Sequence, residues 1–318
     1  MVALDRIADP VAIRLVLSSQ VRRLLTERNG HRAGDKHIAR VVLPLRAVDP
    51  FQWLQAQDDA SKLYWSSRED DGETAAVGLA DVCDHPTAAD FESLRHDLAP
   101  VLASCDAEVR YYGGMRFDLA QPAGDTWAAF GAYRFVLPRF ELHCRDDHAT
   151  LICNLVLPGD QAHVEAILAQ VDRLAFPGPG RVNAVPMPVS REDRPDAAGW
   201  RRSIEWALTV FGETRLDKVV FAREASFGFG EALDPVGLLK NLKAGTPGCF
   251  HFYFQPEDGV AFVGASPERL FRRQGRIVDS EAVAGTRPRG TSATDDARLL
   301  EELLHSDKDR REHEYVCV

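Results

Sequence analysis

The sequence predicts an α+β fold in which antiparallel sheets are layered with helices, and three observations carry that prediction. Strand-like segments follow one another across short turns, as in "AYRFVLPRFELHCR", "DDH" and "ATLICNLVLP" at 132–158. Helical segments come singly between such groups, which argues against a parallel sheet built from βαβ units. The 318 residues are 45% hydrophobic and 27% charged, an ordinary globular composition with ample apolar material for a core.

The elements follow in order. Residues 10–27 read as an amphipathic helix, and "HIARVVLPLRAV" at 37–48 as a strand rich in β-branched residues. A short helix follows, with Asp49 as N-cap and Pro50 at its first position. "KLYWSSRE" and "TAAVGLADVC" are strand-like around the turn "EDDGE". A helix over 87–104, which Thr87 can cap, leads to consecutive strands at 108–118, 132–145 and 149–158. A further helix covers 160–175. The Pro- and Gly-rich stretch 176–197 is the best internal boundary and divides the chain into 1–185 and 186–318, two parts of one structural domain. Beyond it come a helix at 198–211, a strand at 218–227 and a short helix from Asp234. Three strands ("CFHFYFQ", "GVAFVGASPERLFRR", "RIVDSEAVAG") follow, then a last helix from near Thr294 to the end.

A net charge of −10 and a pI near 5.5 argue against a nucleic-acid or anionic membrane surface. No apolar run approaches the roughly 18 residues of a spanning helix, and the N-terminus lacks the layout of a signal peptide. Six cysteines at irregular spacing, with no CxxC, suit a reducing cytoplasm better than a disulfide framework. The expectation is a cytoplasmic protein.

Chemistry could sit on ionisable residues of the second half. Lys218 opens an apolar run, where a lysine is more often a solvated strand end than a catalyst. Glu268 lies in "GASPERL", which alone reads as a capped turn. "AGT" at 284–286 could be only a turn, and Glu312 could be one charge of a solvated helix, paired with Lys308 at i, i+4. "HCRDDH" at 143–148 has the residue types of a metal site but no zinc spacing. It reads as a turn.

In combination these signals change meaning. A lysine, then "GASPERL", then "EAVAGTRPRG", then "LLHSDKDRREHEYV", in this order, resembles the chorismate-utilising enzymes. The resemblance covers about 198–318, and "YYGGMRFD" and "WAAFGAYRFVLPRFEL" extend it into the first half. Aminodeoxychorismate synthases carry a nucleophilic lysine before Gly-Thr; here Ala284 stands there. "EAVAGT" is nearer to isochorismate synthases than to anthranilate synthases, with salicylate synthases close behind. A non-catalytic interaction module is the alternative from another class.

The resemblance implies a magnesium-dependent isomerisation of chorismate to isochorismate. Water adds at ring carbon 2 while the hydroxyl at carbon 4 leaves. It implies Lys218 as the base, a role open to lysine only where desolvation or a nearby cation favours the neutral amine. It implies Glu268 as the acid, which partial burial would suit. Ala284, Gly285 and Thr286 would meet the substrate, and Glu312 would bind Mg²⁺, which takes one or two carboxylates plus waters and substrate oxygens. The expected partner is chorismate alone, with no nucleic acid and no membrane, and the intact enzyme is expected to be a monomer. The family fold is expected to extend past this sequence, with a second metal-binding glutamate beyond it. Residues 1–318 are therefore expected to be inactive alone.

Overall fold

A computed structural model of the chain describes residues 7–26, 36–69, 71–103, 109–122, 124–178 and 185–317. Parts of the expected 108–118 strand and of the 176–197 boundary, and Cys105, lie outside the described residues. The chain forms two compact units: residues 1–185 with 234–267, and residues 186–233 with 268–318.

The first unit is built on eight strands: β1 (His37–Arg46), β2 (Lys62–Ser66), β3 (Glu73–His85), β4 (Tyr112–Met115), β5 (Tyr133–Arg145), β6 (His148–Leu157), β7 (Phe250–Glu257) and β8 (Val260–Ser266). Their order is β1-β6-β5-β3-β2-β7-β8, with β4 added against β5, and every pairing is antiparallel. The β5–β6 hairpin turns at 146–147, with Asp146 at φ 50°. Residues 250–266 thus join the first unit's sheet, although they follow the Pro-rich stretch in sequence.

Helices cover one face of this sheet. They are α1 (Pro10–Thr26), α2 (Pro50–Ala56), α3 (Val164–Arg173) and α4 (Pro235–Gly245). In α1 the buried residues are Ile13, Leu17, Val21 and Leu25, four apart, so a single stripe faces the sheet. These meet Val41, Leu43 and Leu45 of β1 and Leu151, Cys153 and Leu155 of β6, alternate residues that share one face. Asp49 caps α2 by accepting from the amides of Phe51 and Gln52, with Pro50 at the first position, as expected. The helix expected over 160–175 opens with a 3₁₀ turn at Gly159–His163 before α3. A fifth helix of this unit, α5 (Phe91–Ala103), starts later than expected. Its first-turn amide at Ser93 is satisfied by Asp90, not by Thr87.

The opposite face of the sheet carries a polar network and an aromatic group. Arg139 and Asp160 form a buried two-point ion pair at 2.5 and 3.0 Å, and Asp160 also accepts from the Val156 amide. Buried Glu141 accepts from Asn154 and Tyr112 and faces His143 Nε2 at 2.8 Å. Burial alone would raise its pKa. The bond and charge of His143, with Asn154 and Arg40, outweigh burial and hold it below the usual carboxylate range. Trp127, Phe130, Phe252, Phe254 and Phe262 line a cavity of about 740 Å³ beside Tyr112 and Arg134.

The second unit holds α6 (Ala197–Glu213), α7 (Ala293–Leu304) and α8 (Asp307–Cys317). It also holds two strand pairs. One joins β9 (Ser190–Arg194) to β10 (Glu224–Gly228), and the other joins β11 (Arg272–Gln274) to β12 (Ile277–Asp279). Four expectations are corrected here. The strand expected over 259–273 breaks after Ser266, where Pro267 has no amide to donate to a ladder, and residues 267–271 are irregular. The strand expected over 218–227 exists only as β10, because β9 offers five residues to pair with. The strand expected over 276–285 stops at Asp279, where its three-residue partner ends. The last helix is two helices, because the amide at Asp309 turns to the Ser306 hydroxyl and starts a new one.

Candidate active site

The residues singled out from the sequence all lie in the second unit. Lys218 is half-buried in an irregular segment between α6 and β10, not at the head of a strand. That segment is held at both ends. The Leu216 amide donates to Thr214 Oγ1, and the Phe221 ring meets Trp200 of α6 edge-on at 6.0 Å. Glu268 sits in the irregular link before β11 and is exposed, where the sequence reading expects partial burial. The link is tied back to the end of β12 by the Ser280 hydroxyl, which donates to Leu270 O at 2.9 Å.

Ala284 and Gly285 are half-buried and Thr286 is exposed, all in an irregular loop between β12 and α7. Gly285 has φ +79°, a left-handed conformation that costs a side chain energy, so glycine is favoured on the path taken. The loop's far end is pinned to α7. Arg289 Nε donates to Asp296 at 2.7 Å, and the Gly290 amide donates to the same carboxylate at 2.8 Å. The Arg289 bond, then the Gly290 amide, hold the Asp296 pKa down to about 2.

Glu312 lies exposed on α8. This helix and the Ala284–Thr286 loop are brought together by two polar contacts. Arg287 Nη2 donates to Asp309 Oδ2 at 2.7 Å, and the His313 ring approaches Ala282 O at 3.1 Å. The Ser306 hydroxyl and then Arg287 hold the Asp309 carboxyl below its usual range. Lys218 and Glu268 occupy other segments of the same unit. Sequence reasoning marked Glu312 and the Gly-Thr pair but missed Asp309 and Arg287. The sequence carried only a weak signal for the pair, since "RPRG" is basic and "KDR" sets its one acid between two bases.

Among the described residues there is no cluster of three or more His, Cys, Asp or Glu placed to hold a metal ion. Mg²⁺ does not demand one. It is commonly held by one or two carboxylates with waters and substrate oxygens filling the remaining positions. An exposed glutamate is the hard oxygen donor such an ion takes, so Glu312 fits as one contributor. Among the described residues no helix is long and apolar enough to cross a membrane.

The chorismate binding enzyme family profile matches residues 22–318. The isochorismate synthase MenF of Escherichia coli is 28% identical over 279 residues, which is 87% of this chain and 60% of that protein. The MenF of Bacillus subtilis is 32% identical over 228 residues, 71% of this chain and 46% of that protein. The solved structure of the E. coli menaquinone-specific isochorismate synthase superposes with a TM-score of 0.73 at 25% identity, covering 95% of this chain and 67% of that one. The chain therefore spans about 60% of the length of its E. coli relative. The α+β architecture is shared with that structure, and the chain belongs to the chorismate binding enzyme family.

Proposed function

We propose that this chain carries the base, the acid and one metal-holding carboxylate of an isochorismate synthase, which converts chorismate to isochorismate. The observation that carries the reading is the docking of the Ala284–Thr286 loop on α8. It ties the loop that would meet the substrate to the helix that carries Glu312, a carboxylate of the kind Mg²⁺ takes, in a chain whose relatives are named isochorismate synthases.

In this reading Lys218 takes a proton from the water that adds at carbon 2. Glu268 gives a proton to the hydroxyl leaving carbon 4. One water is consumed and one released, so the reaction is an isomerisation with no redox step. Gly285 lets the backbone come close to the ring, and the Thr286 hydroxyl, exposed at that point, can bond a substrate oxygen. Glu312 would hold Mg²⁺, and the ion, when bound, supplies positive charge to a substrate carboxylate and to charge developing during the exchange.

The test is turnover of chorismate with and without Mg²⁺, followed by proton NMR of the products. It is run on residues 1–318 alone and on the same residues fused to the part of E. coli MenF that lies beyond the matched region. Isochorismate from the fusion, lost in Lys218→Ala and in Glu268→Gln with the fold intact, is the expected result. Removing a general acid or base costs on the order of 10²–10⁴ in rate. Wild-type turnover by either variant would remove that residue from the mechanism. Anthranilate, or salicylate with pyruvate, as the product would replace the reading with that of another chorismate enzyme.

A further inference from the structure

Helix α8 has no buried residue, so within its own unit it has no apolar anchor among the described residues. Polar contacts must therefore decide where it sits, and they converge on one short stretch of loop. Asp309 is largely covered, with 12% of its side chain exposed, and binds Arg287 at 2.7 Å. The second arm of the same guanidinium donates to Thr286 O at 2.9 Å, so Arg287 grips its own loop while it grips the helix. A Cβ built on Gly285 would stand 3.0 Å from Asp309 Cβ and 3.2 Å from its Oδ1, so the loop backbone runs directly against this residue. One turn further along α8, His313 meets Ala282 O. Asp309 and His313 are four apart and share a face, and Glu312, three from Asp309, flanks the same contact.

We infer that Asp309 is a positioning residue. Through Arg287 and the Gly285 backbone it locks α8 to the 282–287 loop, and so fixes the Glu312 carboxylate relative to Gly285 and Thr286. Asp309 meets neither substrate nor metal in this scheme. An exposed ion pair would contribute little. This one is mostly covered on the carboxylate side, is anchored at both ends, and joins a helix that has no apolar anchor. The assignment rests on the reading of Glu312 as the metal-holding carboxylate.

Two measurements on the 318-residue protein separate the claims. Hydrogen exchange is followed in peptides covering 282–290 and 307–317 for Asp309→Asn, Arg287→Gln and the double variant. Exchange about tenfold faster in both peptides, with the double variant no worse than either single, is the expected result. Faster exchange in α8 alone, or single effects that simply add, would overturn the lock. Arg287→Lys keeps the charge but not the fork, and serves if either stronger variant fails to fold. It should speed exchange in both peptides less than the Gln variant does, and an effect confined to one peptide would again overturn the lock.

The second measurement is binding of Mn²⁺, used as a paramagnetic stand-in for Mg²⁺, by water-proton relaxation. Glu312→Gln should abolish the site, and Asp309→Asn should weaken it about fivefold. If Glu312→Gln abolishes binding while Asp309→Asn leaves it unchanged, the positioning role is wrong. If Glu312→Gln changes nothing, the metal reading fails, and the lock is judged on the exchange data alone.

Discussion

Replacing Gly285 with alanine tests whether the left-handed turn in the substrate loop is a structural requirement. Two costs are expected. Gly285 has φ +79°, and a left-handed L-residue costs about 1–2 kcal/mol from backbone sterics. The new methyl would also meet Asp309 Cβ at 3.0 Å and Leu303 Cδ1 at 3.2 Å. Leu303 can rotate its far end away, but Asp309 Cβ is fixed to the helix backbone, so α8 itself must yield. A loss of 1–2 kcal/mol corresponds to roughly a fivefold to thirtyfold fall in the population of the closed arrangement. Amide exchange in 307–317 should quicken by that factor, while exchange in the β5–β6 hairpin of the other unit stays as in the parent. Gly285→Asn divides the two costs, because asparagine enters the left-handed region more readily yet carries the same Cβ. Recovery with asparagine would assign the loss to backbone strain, and an equal loss to the contact with Asp309. Exchange in 307–317 changed less than twofold by alanine would refute both arguments.

Three further outcomes are expected. Asp160→Ala strands the Arg139 guanidinium in the sheet face, and breaking such a buried pair costs about 3–5 kcal/mol; urea denaturation of the variant should show it, and a loss under 1 kcal/mol would mean water reaches Arg139. His251 is buried between Ser66 and Thr246, and burial, then the charge of Lys243, lower its pKa below the ordinary 6.5, against the opposing hydrogen bond to the Thr246 backbone and the charge of Glu73. The unfolded chain therefore binds the proton more tightly, so this contribution is complete above about pH 6.5 and is lost as pH falls below it. The slope of stability against pH between about 6.5 and 5 should flatten in His251→Gln, and an unchanged slope would assign it to other groups. The Cys144 and Cys153 thiols are pushed up to about 12 by burial, so a thiol reagent at pH 8 should modify exposed Cys317 while sparing both. Modification of Cys153 at the rate of Cys317 would contradict the packing of β6.

The strands of the first unit's sheet were legible as runs rich in apolar and β-branched residues between turn residues, as in "ATLICNLVLP" after "DDH". The cap at Asp49 was legible because it depends only on neighbours in sequence. Two of the failures share a cause. "KVVFAREASF" has the composition of a ten-residue strand, but a strand is as long as its partner, and Ser190–Arg194 pairs only with Glu224–Gly228. "RIVDSEAVAG" ended early for the same reason. The break at residues 305–306 was readable in principle, since Ser306 stands three residues before Asp309 in the pattern of an N-cap. The charged run that continues through it masks that signal. The family resemblance over 198–318 marked which residues could do chemistry, but not what holds them. Arg287 and Asp309 are 22 residues apart, and their bond forms where the loop path that Gly285 permits runs against α8. Motifs register the groups that act. The contacts that place those groups follow from the tertiary path, and that path is set here by a glycine with no side chain and a helix with no buried residue.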